Sequence, residues 1–157
     1  MAFTSFAGPV RAGTKRDGAT QNTGLVVLAQ SFDSGDLTGA TVGNTDTLAF
    51  YLPQGAQIVD IKHDQVVAAG TGTTTVSVGN ASGGAQLSAG VATTAGGRFR
   101  GVPTAATQLA WQTSTTADTP VFIRTAVGGG TLTAGRFITT VLYVQRAPNG
   151  AQRPVSS

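Results

Sequence analysis

Cysteine is missing from all 157 residues, which excludes a disulfide framework and a thiolate metal site. That suits assembly in a reducing compartment. Glutamate is missing as well, so all seven acidic residues are aspartate. Charged residues make up 11%, against about 25% in ordinary soluble domains. A surface this poor in charge has little defence against association, so a partner or an oligomer is expected. His63 is the only imidazole. No apolar run approaches the ~20 residues of a membrane helix, so no membrane partner is expected. Met1–Gly8 lacks the charged-then-apolar order of a secretory signal.

What is present favours strands. Glycine supplies 22 residues, and threonine and alanine are abundant. Such a chain is rich in turn formers and β-branched residues and poor in strong helix formers other than alanine. The net charge is +3. Nucleic-acid binders cluster their cations on one face. Here the cations are scattered apart from Arg11, Lys15 and Arg16, so direct contact with nucleic acid is not expected.

The length suits one domain with three parts: an arm over residues 1–24, a β domain over 25–146 and a tail over 147–157. In the arm, Phe3, Phe6 and Val10 are widely spaced among glycines and cations, which predicts an extended segment; a disordered tail is the alternative. Leu25–Phe32 is a short apolar run bounded by turn residues, and reads as a strand. Its unbroken apolarity implies burial on both faces or packing at a subunit contact. Leu37–Asp46 reads as a loop with a short strand over Thr38–Val42.

Thr47–Gly79 is the organising stretch, with three strands. Pro53-Gln54-Gly55 reverses the chain between the first two, Pro53 presetting the bend and Gly55 free to take positive φ. Residues 68–72 turn it again. Over Gln57–Val67, period-two parity puts Val59, Ile61, His63, Gln65 and Val67 on one face. Ile58, Asp60, Lys62, Asp64 and Val66 fall on the other, with the three charges in water. Ala85–Val91 reads as a short strand or a 3₁₀ turn and Arg98-Phe99-Arg100 as an extended segment, and further strands are expected at Ala110–Ser114, at Pro120–Val127 and at Arg136–Arg146. Thr104–Leu109 is the one plausible helical turn. Glycine loops separate the last two strands, which are expected to pair antiparallel. About eight strands with no amphipathic helix predict two packed antiparallel sheets. A jelly roll is the first expectation and an immunoglobulin-like sandwich the alternative.

The residues offer little for catalysis. Serine hydrolysis needs nucleophile, base and orienting acid together, and no Gly-x-Ser-x-Gly elbow occurs. Parity directs His63 away from Asp60 and Asp64, so these three do not converge on a metal. Asp33, Asp36, Asn44 and Asp46 carry no EF-hand spacing and read as turn residues. The glycine runs open no predicted helix and read as hairpin loops. Arg98 and Arg100 share a face and have two readings, phosphate contact or pairing with acidic protein. Trp111 and Phe99 read as core, with sugar or base stacking as the alternative. No enzymatic activity and no cofactor is expected.

Several stretches resemble a known group. Phe6-Ala7-Gly8-Pro9-Val10-Arg11-Ala12-Gly13-Thr14 resembles the N-termini of small capsid-associated proteins of tailed bacteriophages. Leu52–Ile61, Ser77–Asn80 and Ala95–Arg98 are similar to the bodies of that group, the head decoration or cement proteins. The resemblance carries no catalytic motif. It implies a virion protein, assembled in the host cytoplasm and placed on the capsid exterior, with the major capsid protein as partner. A homotrimer is expected at threefold positions, its arms clamping neighbouring capsomers. Phe3 and Phe6 would dock in apolar pockets, and Arg11, Lys15 and Arg16 would pair with shell carboxylates. Two rivals are a fibre-type, host-glycan-binding module using Trp111 and a small polysaccharide-degrading enzyme.

Overall fold

The computed structural model describes residues 27–102, 110–111 and 117–145. Eight strands run in the order β1 (Val27–Asp33), β2 (Gly43–Leu52), β3 (Ala56–Val67), β4 (Thr73–Gly79), β5 (Ser88–Ala92), β6 (Gly97–Arg100), β7 (Thr119–Gly128) and β8 (Arg136–Gln145). They form two four-stranded sheets, β1-β8-β3-β6 and β2-β7-β4-β5, and all pairings are antiparallel. First pairs with last, second with seventh, third with sixth and fourth with fifth. That is a long hairpin rolled into a sandwich, the jelly roll. Its order differs from the immunoglobulin arrangement.

The roll corrects several expectations about neighbours. Of the consecutive strands, only β4 and β5 pair with each other. The Pro53-Gln54-Gly55 turn carries the chain from one sheet to the other, and so does the loop between β7 and β8. These glycine segments are corners of the sandwich, not hairpin loops. Gly55 does take positive φ, at 82°, as the turn requires. Residues 43–46 are strand, because β2 continues along β7 from Leu52 back to Gly43. Ala110 and Trp111 are helical and not strand. The expected helical turn at Thr104–Leu109 and the remainder of Ala110–Ser114 lie outside the described residues.

The core sits between the sheets. Ile61, Phe137, Val141 and Tyr143 face inward from one sheet, and Val76, Val78, Val121 and Ile123 from the other; Leu52 and Leu87 are buried with them. Each fully buried side chain of this size stabilises the fold by about 1.5–3 kcal/mol. In β3 a bulge between Ile58 and Asp60 flips the parity of the strand's first residues. Ile58, expected on the wet face, packs against the core, while Val59, expected inside, is 47% exposed. A second register shift between Gln65 and Val67 leaves Val67 exposed. The central residues follow the expected alternation, with Ile61, His63 and Gln65 inward.

Toward the β3–β4 corner the interior becomes polar. His63 and Thr139 are fully buried and joined Nδ1 to Oγ1 at 2.9 Å. Thr74 and Thr93, also fully buried, share a hydroxyl hydrogen bond of 3.1 Å. Gln65 donates to the Val67 carbonyl at 2.7 Å. His63 Nε2 and Gln65 Oε1 have no hydrogen-bond partner. A proton added at Nε2 would therefore be poorly compensated, and burial holds the ring's pKa down at about 4, opposed only in part by the charge of Asp64.

The sign follows from linkage. Between the ordinary 6.5 and about 4, the unfolded chain holds a proton on this ring that the folded chain does not. Stability from His63 is thus complete above pH 6.5 and falls as pH drops toward 4, by up to about 3 kcal/mol. Denaturation midpoints taken from pH 7.5 to 4 should show that slope, and His63→Gln should flatten it.

Candidate docking surface

The outward faces divide by charge along the strands. β1 begins where β8 ends, with Val27 opposite Val144, and β3 begins there too, with Ala56 opposite Gln145. Val27 and Gln145, where the described body begins and ends, therefore lie at one end of it. The charged side chains of the sheets lie in the middle and toward the other end. There Asp33 meets Arg136 through two hydrogen bonds, one of 3.1 Å from Nε. Asp64 accepts two from Arg98. Asp60 takes Arg100 at 2.9 Å and lies 3.9 Å from Lys62. On the opposite sheet Asp46 lies 3.8 Å from Arg124.

Each lysine and arginine among the described residues thus has an aspartate partner. The local sequence explains why. Lys62 and Asp64 alternate on the outer face of β3, directly across from Arg100 and Arg98 of β6. The Arg98–Asp64 pair is in register and the Arg100–Asp60 pair is diagonal, the two close approaches a pleated pair allows. The expected row of solvated charges is corrected here: Asp60 is 8% exposed and held between two cations. Arg98 and Arg100, read as possible partner contacts, are engaged within the molecule. Phe99 points to the other side, half-buried.

The remaining candidates also have partners. Hydrogen bonds from Arg136, then from the Gly35 amide, hold the Asp33 carboxyl at about 2. Asp36 accepts from the Thr38 amide and hydroxyl, at 2.9 and 2.7 Å, and these lower its pKa. Both behave as turn and pairing residues. His63 lies inside the sandwich while Asp64 lies outside, so the two do not share a site. Trp111 is half-buried against the core, and its indole N–H donates to the Leu87 carbonyl. The predicted arm residues Phe3, Phe6, Arg11, Lys15 and Arg16 lie outside the described residues.

Sequence reading missed two apolar patches. Parity with buried Val121 and Ile123 turns Leu48 and Phe122 outward as a cross-strand pair, with Tyr51 and Pro120 beside them. Leu48 is 44% and Tyr51 54% exposed. On the other sheet Val27, Ala29 and Leu142 face outward together. Both patches lie in the half of the body that holds Val27 and Gln145. The signal was the bulge at Ala49, which sets Tyr51 outward, and no residue pattern announces it.

No family model and no curated protein matches the sequence. The fold has counterparts among solved structures. A chain from the capsid of Ralstonia phage GP4 is 22% identical with a TM-score of 0.55, covering 88% of this chain and 93% of its own. A chain from the acidic stable capsid of Helicobacter pylori bacteriophage KHP30 is 18% identical with a TM-score of 0.48, covering 77% and 94%. One from the capsid asymmetric unit of cyanophage Pam1 is 22% identical with a TM-score of 0.43, covering 92% and 99%. The first of these shares the overall fold of this chain.

The two kinds of ion pair should respond differently to mutation. Asp64→Asn, at a carboxylate about a third exposed, should change unfolding free energy by less than about 1 kcal/mol. Asp60→Asn alters a nearly buried carboxylate that accepts from Arg100 and from the Ile61 amide, and should cost about 1–3 kcal/mol. Urea denaturation at pH 7 measures both.

Proposed function

We propose that this chain is a structural virion protein: a head decoration or cement protein that binds the outer capsid surface and clamps adjacent capsomers. The observation that carries this reading is the partition of charge. The described body holds five cations and six aspartates, and each of those cations is paired internally. The segments before Val27 and after Gln145 hold Arg11, Lys15, Arg16, Arg146 and Arg153 against Asp17 alone. The sequence's excess of positive charge is thus concentrated in the two segments that flank the body, whose ends Val27 and Gln145 lie together. Next to that end lie the apolar patches.

Such a body has a docking end and a solvent end. The docking end brings apolar surface and net positive charge, which fits an acidic protein surface such as the carboxylates of a major capsid protein. The far end carries charges already neutralised by one another, suited to facing water on the outside of a particle. Residues 1–24 act as the arm, with Phe3 and Phe6 as apolar anchors and Arg11, Lys15 and Arg16 as ionic ones; residues 147–157 form the tail beside it. Three arms held on one trimer raise the local concentration of each and convert weak contacts into a firm clamp. The shared fold with a chain from a phage capsid is consistent with this role. No step in it requires catalysis or a cofactor.

Deleting residues 1–18 should remove the protein from purified particles and lower the temperature at which they release DNA. Changing Arg11, Lys15 and Arg16 together to serine should weaken particle binding about tenfold at low salt, since exposed pairs contribute about 0.2–1 kcal/mol each. The same change should reduce the salt dependence of binding. Unchanged occupancy after the deletion contradicts the arm mechanism.

A further inference from the structure

Among the described residues, three buried side-chain atoms lack a hydrogen-bond partner: Gln30 Oε1, His63 Nε2 and Gln65 Oε1. Gln30 lies on β1. The other two belong together. His63 is 0% and Gln65 4% exposed, and both point inward from β3, two residues apart on one face. A buried polar atom left without a partner costs about 1–3 kcal/mol, so two on one strand face call for a common explanation.

The neighbours fix the chemistry of each atom. The Gln65 amide nitrogen donates to the Val67 carbonyl, so Oε1 is the other end of the amide, an acceptor. His63 Nδ1 is bonded to the Thr139 hydroxyl. A protonated Nε2 would be a donor on the same strand face as Gln65 Oε1, and the two would bond directly. They do not. A bare Nε2 accounts for this: with Nδ1–H donating to Thr139 Oγ1, Nε2 is a second acceptor. Two acceptors cannot satisfy one another, and each needs a donor.

That donor has to suit a neutral interior. Beside His63 in register are Thr139 on β8 and Phe99 on β6, and Thr74 and Thr93 complete the polar corner. Asp60 and Asp64 are held by Arg100 and Arg98 on the outer face. A metal cation would find no compensating charge inside, and no three His, Asp or Glu side chains gather among the described residues. A water molecule brings two O–H donors and no charge. Side chains two apart on a strand face stand about 6.6 Å apart at the backbone. A water bonded to both at about 2.8 Å spans tips about 4.5 Å apart.

We infer that an internal water molecule is bound here as a structural ligand, donating one hydrogen to His63 Nε2 and the other to Gln65 Oε1. Its oxygen remains an acceptor. Thr74 and Thr93 share one bond between two hydroxyls, which leaves a hydroxyl hydrogen over in the same corner. The water completes a chain from Thr139 of β8 through His63 and Gln65 to the Val67 carbonyl. That chain ends at the register shift between Gln65 and Val67, where the β3–β8 ladder is interrupted. The water thus pins the irregular end of β3, where side-chain bonds stand in for the ladder.

The presence of a single histidine makes the test direct. In the full-length chain labelled with nitrogen-15, well above the ring's pKa of about 4, magnetic resonance should find the ring proton on Nδ1 and Nε2 bare. A high-resolution crystal structure of the same chain should show one ordered water within hydrogen-bond distance of both Nε2 and Oε1. Gln65→Met, which keeps the side chain's length and removes the acceptor, should lose that water and keep the His63–Thr139 bond. A ring protonated at Nε2, a direct contact between His63 and Gln65, no water at that position, or a water that touches only one of the two overturns the inference. A water that persists unchanged in Gln65→Met overturns it as well. Should that variant fail to fold, the tautomer and the crystal structure of the parent chain decide.

Discussion

The fold depends on a late strand entering between two early ones. β8 lies between β1 and β3, and nothing else among the described residues joins those two strands. β7 does the same for β2 and β4. Each sheet therefore closes only when residues beyond Thr119 have arrived, and Val27 pairs with a residue more than a hundred positions away. Chains dominated by such distant pairings fold slowly, because loop closure precedes any gain from contact. The same insertion brings Val27 and Gln145 together at one end of the body, which is where the proposed function is concentrated.

The low charge content has a second consequence. With 11% charged residues, the described body still matches each of its cations to an aspartate. Exposed pairs of this kind contribute little stability individually. Their effect on recognition is larger, because they remove the body's charges from competition for a partner. In the proposed role, recognition falls to the apolar patches near one end and to the cations of the terminal segments. A scaffold that is electrostatically silent over its faces and basic at its ends suits attachment in one orientation.

Much of the architecture was legible in the residues. The spacing of turn residues and alternation of apolar ones anticipated an all-β sandwich, and Gly55 has the positive φ its turn demanded. Parity rightly separated His63 from Asp64. What parity cannot foresee is a bulge: one extra residue at Val59 exchanged the faces of Ile58 and Val59, and another at Ala49 turned Tyr51 outward. Nor does local pattern reveal which strands pair, since a glycine corner between sheets and a hairpin loop draw on the same residues. The engagement of Arg98 and Arg100 with Asp64 and Asp60 was hidden for that reason: β6 and β3 are neighbours only in the rolled chain. Ala110 and Trp111 were read as strand from one aromatic and are helical; a single large apolar residue carries no period that separates the two.

The central claim is that this chain belongs to the particle. Quantitative mass spectrometry of gradient-purified virions, counting this chain against the major capsid protein, tests it most directly. The account predicts a fixed ratio of the same order as the shell protein, unchanged by nuclease treatment and lost on high-salt washing. Absence of the chain from particles that are otherwise intact, with all of it recovered in the soluble fraction, would contradict the account.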